Sequence, residues 1–219
     1  MNEFLIPPLQ QRWVFHLIFI RIPKNASTSV YQHLGAFNLV NKYSSLFHKN
    51  LNKPLYKGWF DPTHAKPAEI ANILPVRCSD YHSFAIVRNP WDRFVSMYSF
   101  GNKMQLWKLF GLKEEPSFER FCEITKEKFE NKASDFFPVQ DQTEWLRGPF
   151  EPKQILRFEN LQISFEQMLK DLAVQHIPAQ LPHINSSKHD YYKQYYNDKS
   201  RKLVEQIFYR DIEKFKYTF

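Results

Sequence analysis

The chain has 219 residues, of which 43% are apolar, 17% aromatic and 24% charged, a globular composition of about one domain's size. Its net charge of +7 favours an anionic partner without naming one. Five glycines, none in a G-x-G-x-x-G run and none ahead of Lys-Ser or Lys-Thr, exclude a standard dinucleotide fingerprint and a standard ATP-binding P-loop. Two distant cysteines, Cys78 and Cys122, exclude a disulfide framework and point to a reducing compartment.

Residues 1–12, with Pro7-Pro8, read as a loose arm ahead of a domain over 13–219. Val14–Ile22 (VFHLIFIRI) falls well short of the roughly 20 apolar residues of a membrane span. It also lacks the small-residue cleavage site of a signal peptide. It reads as a strand buried on both faces, and the expectation is a soluble, cytoplasmic protein. Pro23 ends the strand. KNASTS follows, and Val30, Leu34 and Phe37 then form one helix face that Ser27 or Thr28 would cap.

Residues 41–80 are less regular, with a short strand expected at Trp59-Phe60 and a helix over Ala68–Leu74 behind Pro67. Ser83–Val87 is a second buried strand. Asn89 caps the next helix, Pro90 opens it, and Phe94, Met97 and Tyr98 face inward. Ser117–Phe129 is an amphipathic helix with Phe118, Phe121, Cys122, Thr125 and Phe129 on its apolar side. Gln154–Phe158 is a third strand, followed by a helix capped at Ser164. A closing helix from Lys199 to Phe215, capped by Asp198, turns Leu203, Ile207, Phe208, Ile212 and Phe215 inward. Three strand-then-helix units make this an α/β chain with a mainly parallel sheet. Ligands bind such sheets beyond the carboxyl ends of the strands, which singles out loops 23–29 and 88–90.

The first loop, Lys24-Asn25-Ala26-Ser27-Thr28-Ser29, leaves a strand and enters a helix. Open N–H groups and the positive end of the helix dipole favour an anion there, and three hydroxyls add donors. Lys24 is a cation suited to a leaving-group oxygen. The competing reading is a plain Ser/Thr helix cap with Lys24 in solvent. In the second loop, Arg88 offers a forked donor set for phosphate, and Ser96 lies two turns into the helix. Its competing reading is a surface pair of Asp92 with Arg93 over a packed Ser96.

Taken together, FIRIPKNASTSV and FAIVRNPWDRFVSMY resemble the 5′-phosphosulfate loop and the 3′-phosphate motif of the sulfotransferases that use 3′-phosphoadenosine 5′-phosphosulfate (PAPS). ILRFENL at 155–161 is similar to that family's third strand and turn. LPHINSSKHDYY at 181–192, with the terminal RDIEKFKY, resembles the C-terminal region of its carbohydrate-type and bacterial members. The resemblance runs from about residue 14 to 217. It implies a single-domain, P-loop-NTPase-like α/β fold and transfer of a sulfuryl group from PAPS, without a metal, to an acceptor hydroxyl, first of all on a carbohydrate. It gives Lys24 the bridging oxygen, Asn25, Ala26, Ser27, Thr28 and Ser29 the 5′-phosphosulfate, and Arg88 with Ser96 the 3′-phosphate. Relatives carry glycine in the first loop, where this chain has Asn25-Ala26-Ser27, so the loop backbone is restricted.

An acceptor hydroxyl needs a base. His64, in DPTHAKP, suits the task, with Asp61 and Glu69 as carboxylate alternatives and loop packing as the plain reading. Ser187 or Lys188, between His183 and His189, can touch the donor's phosphate or close a lid. Tyr191, Tyr192, Tyr195 and Tyr196 can stack on adenine or sugar, with core packing expected for at least half of them. Phe136–Trp145 can line the acceptor cleft, with Gln142 as a contact. Two rival classes stay in view. A kinase with a modified phosphate loop lacks the Walker glycines and a Mg-binding pattern. A non-enzymatic binder of nucleic acid or sulfated glycan requires a basic stripe, whereas the lysines are dispersed, so no nucleic-acid partner is expected. No transmembrane segment is read in the sequence.

Overall fold

The computed structural model describes residues 16–51, 62–110, 112–132, 139–182 and 191–219. The N-terminal arm, the Trp59-Phe60 strand, Asp61, Phe136, His183, Ser187, Lys188 and His189 lie outside the described residues.

The first strand, β1 (Leu17–Ile20), is shorter than its apolar run, and all four residues are fully buried. Helix α1 (Ser27–Leu34) follows, ending where Gly35 takes a φ of 49° that an L side chain resists. The stretch expected to be irregular holds two short helices, α2 (Leu39–Lys42) and α3 (Ser44–Asn50), and then α4 (Pro67–Ile73), which opens on its proline. Asn38 caps α2 and stands against β1, where its Oδ1 accepts the Phe19 N–H at 3.1 Å.

Strand β2 (His82–Val87) leads into α5 (Pro90–Met104), with Asn89 Oδ1 accepting from Trp91 N at 3.1 Å and Asp92 N at 3.5 Å. On α5, Gly101 lets the Trp107 ring approach so closely that a Cβ there would lie 2.6 Å from it. Helices α6 (Phe118–Glu130, capped by Ser117) and α7 (Gln142–Trp145, capped by Asp141) precede β3 (Gln154–Arg157). The chain continues through α8 (Leu161–Asp171), α9 (Asp198–Ile207) and α10 (Tyr209–Phe215).

Among the described residues the sheet is three-stranded, parallel throughout and ordered β1-β2-β3, with Phe19 beside Phe84 and Val87 beside Arg157. Alternate residues feed two cores. Leu17, Phe19, Phe84, Ile86 and Leu156 pack on α1 and α8, and the Phe19 and Phe84 rings stack at 4.7 Å. Ile18, Ile20, Ala85 and Val87 join the larger core with Phe94, Phe121, Trp145 and Phe208. This is the α/β single domain that the three strand–helix units implied.

Several helix boundaries differ from expectation. Helix α8 begins four residues earlier than a Ser164 cap requires, and Ser164 Oγ instead bonds back to the Asn160 carbonyl at 3.1 Å from inside the helix. The closing helix is two helices, because buried Phe208 leaves helical dihedrals (φ −108°, ψ 27°) and sends its ring to within 6.0 Å of Phe94. Neither proline nor glycine breaks it, so tertiary packing overrides local propensity there. The cap of α9 is Asn197, one residue before the expected Asp198.

Candidate active site

The loops that follow β1, β2 and β3 meet at the carboxyl edge of the sheet. In the first, neither Ser27 nor Thr28 caps α1. Ala26 holds the cap position with φ 55°, has no side chain that can accept a bond, and Ser27 and Thr28 are already helical. Lys24 also lies in the left-handed region, at φ 70°. The loop thus takes left-handed conformations without glycine, at about 1–2 kcal/mol per residue. The consequence for α1 is chemical. The first N–H groups of a helix have no partner within it, and Ala26 supplies no side-chain acceptor for them.

Asn25 points inward. It is 1% exposed, and its Nδ2 donates to Ile86 O at 2.7 Å and Gln142 Oε1 at 2.6 Å. Ser27 and Ser29 are buried, and Thr28 is half-buried.

Lys24 is half-buried, with its Nζ 3.9 Å from the centroid of the Phe100 ring on α5. Burial first, and then repulsion from Arg88, Lys103 and Arg93, lower its ammonium to about 7. No carboxylate among the described residues pairs with it. Four cations gathered around one loop, one of them without a carboxylate partner among the described residues, make a site that gains from an incoming anion.

Arg88 leaves β2 and turns back to the first loop. Its Nη1 donates to Lys24 O at 3.0 Å, its Nε to Asp92 Oδ2 at 2.7 Å, and its guanidinium lies 4.0 Å from the Phe158 centroid in the β3 turn. The proposed Asp92–Arg93 surface pair is therefore corrected. Asp92 pairs with Arg88, and Arg93 is 0% exposed, donating to Pro23 O at 3.2 Å and Gln140 O at 3.1 Å. A sequence signal existed, since Arg93 shares the α5 face of Pro90, Phe94, Met97 and Gly101. Ser96 is buried on the same helix.

His64 is 4% exposed, and its Nδ1 is 3.0 Å from the carbonyl of Arg21, three residues before Lys24. With the proton on Nδ1 donated there, the ring's lone pair sits on Nε2. Thr63 Oγ1 accepts from Arg21 on the same strand end. Glu69, the described carboxylate alternative, accepts the Lys66 N–H at 2.9 Å, at the start of α4.

Gln142 does not line a cleft. It is 0% exposed and wholly engaged in hydrogen bonds within the protein. The tyrosine group divides. Tyr195 and Tyr196 pack on Phe118, and Tyr196 donates to Trp91 O at 2.9 Å. Tyr192 packs against Phe219, and Tyr191 is 63% exposed. Asp211, which sequence reasoning passed over, is buried on α10 in register with Phe208 and Phe215.

No described helix is long and apolar enough to cross a membrane. The model of the sulfotransferase family matches residues 14–218. No curated protein and no solved structure gives a significant match. A family match that spans nearly the whole chain, over a parallel sheet whose first two loops bring Lys24 and Arg88 together, makes this chain a member of the sulfotransferase family.

Proposed function

We propose that the protein transfers a sulfuryl group from PAPS to an acceptor hydroxyl, with carbohydrates the first acceptor class to screen. The observation that carries this is Lys24, a desolvated ammonium without a carboxylate partner among the described residues, beside the uncapped start of α1.

Sulfuryl transfer asks a protein mainly for alignment and for charge stabilisation. In this reading the N–H groups at the start of α1, with the Thr28 hydroxyl beside them, hold the non-bridging oxygens of the 5′-phosphosulfate. Lys24 meets the oxygen that bridges phosphorus and sulfur. As the acceptor oxygen bonds to sulfur, the bond from sulfur to that bridging oxygen breaks, and Lys24 offsets the charge left behind. The acceptor's proton passes to Nε2 of His64, whose ring is oriented through Nδ1 and the Arg21 carbonyl at 3.0 Å. Arg88 and Ser96 receive the 3′-phosphate, with Arg88 fixed in direction by Asp92 and Phe158.

The test is calorimetric titration with adenosine 3′,5′-bisphosphate, ATP and AMP. Selective binding of the bisphosphate is expected, followed by a mass gain on a hydroxyl acceptor when PAPS is supplied. Equal binding of ATP, or no binding at all, rejects the reading.

A further inference from the structure

The two loops assigned to the donor are joined by a third segment, residues 140–143. At one end, fully buried Arg93 bridges the carbonyls of Pro23 and Gln140, at 3.2 and 3.1 Å. At the other, Gln142 spans the gap between the loops with a single amide. Its Oε1 accepts from Asn25 Nδ2 at 2.6 Å and from Arg88 N at 2.8 Å. Its Nε2 donates to Arg88 O at 2.8 Å and Asp211 Oδ2 at 3.2 Å. A primary amide has two N–H groups and two acceptor sites, and all four are used here.

Asp211 holds this amide in place. It is 0% exposed, and its Oδ2 also accepts the Gln142 N–H at 2.8 Å. Its Oδ1 accepts from Thr143 N at 2.8 Å and Thr143 Oγ1 at 3.0 Å. Neither loop can shift without breaking a bond that water cannot replace, since a buried polar group left unpaired carries its full desolvation penalty.

We infer that Gln142, held by Asp211, is a positioning residue that couples the two loops, so that the 5′ and 3′ ends of the donor bind as one unit. The inference rests on the donor reading above. Gln142 touches no reacting atom. Its effect is to make occupation of one loop favour the other, a coupling between two subsites.

The experiment measures affinities of the full chain for adenosine 3′,5′-bisphosphate, adenosine 5′-monophosphate and adenosine 3′-monophosphate, in the wild type and in Gln142→Met and Asp211→Asn. Methionine keeps most of the volume and removes every polar contact of the side chain. In Gln142→Met the preference for the bisphosphate over each monophosphate falls about tenfold, while the monophosphates themselves change little. Asp211→Asn gives a smaller fall in the same direction. A purely structural role predicts a lower melting temperature with the preference intact, and that result in a folded Gln142→Met overturns the inference. Should Gln142→Met fail to fold, an unchanged preference in Asp211→Asn overturns it instead. A wild type without any preference for the bisphosphate rejects the donor reading itself and the coupling with it.

Discussion

The chain starts a helix from the end of a buried strand twice over, and the two starts are opposites. At α5, Asn89 caps the first N–H groups, Pro90 fixes the first turn, and Asn89 is tied down further by Glu159 Oε1 at 2.6 Å and Thr218 O at 2.9 Å. At α1, two non-glycine residues sit in the left-handed region, and the cap position is an alanine. One helix start satisfies itself and serves as scaffold. The other has a cap residue with no side-chain acceptor and a half-buried lysine beside it, and in the proposed reading it is the one that receives the anion. A helix start that breaks local rules in this way marks the working end of the fold.

Lys24→Met tests the contrast hardest. We expect it to cut sulfuryl transfer on the order of 100-fold or more, as loss of a charge-stabilising group does, and to raise the melting temperature of the unliganded protein. The sign follows from the lysine's position. Its folded value of about 7 lies below the ordinary 10.5, so between those values the unfolded chain binds more protons and stability rises with pH. The variant's advantage is therefore largest at pH 7 and below and fades towards pH 10.5. A destabilised variant, or one with normal turnover, contradicts this account of Lys24. The same lysine makes binding take up protons. At pH 8, bisphosphate binding by the wild type should draw in about one proton per ligand, and binding by Lys24→Met none, read by calorimetry in buffers of different ionisation enthalpy.

The opposite effect is expected at the other helix start. Asn89→Ala should cost about 1–2 kcal/mol in urea denaturation and leave the preference for the bisphosphate over ATP unchanged. A lost preference would mean that α5's cap is part of the site. The smallest effect is at Ala26. Because its φ is 55°, Ala26→Gly should stabilise the fold by about 1 kcal/mol. A destabilised Ala26→Gly would show that the side chain is needed where it stands.

Much of this was legible in the sequence, for identifiable reasons. The strands are dense runs of β-branched and aromatic residues cut off by Pro23 and by Asn89-Pro90, so both loops declared themselves. Asn89, Ser117 and Pro67 act where local rules put them. Ser27 and Thr28 misled because a serine or threonine at a helix start is ordinarily its cap, and a site that leaves the N–H groups open uses the same residue types. Arg93 and Asp211 were hidden by a different assumption, that charged residues stay at the surface. Both lie on the apolar face of their own helix, where spacing alone argues for burial. The span of Gln142 between Asn25 and Arg88 joins residues 117 and 54 positions apart, and no local pattern announces such a contact.

The outer side of β1 has a consequence of another kind. A strand edge with free N–H groups is a template on which a second chain can add itself. Here the Phe19 N–H, which faces away from β2, is taken by the carboxamide of Asn38, and a single bridge joins Leu17 to Asn38 in parallel. One side chain thus occupies a position where another molecule's backbone would otherwise register. Among the described residues β1 is the outer strand on this side, and the contact closes one position of its edge by means of one fully buried asparagine.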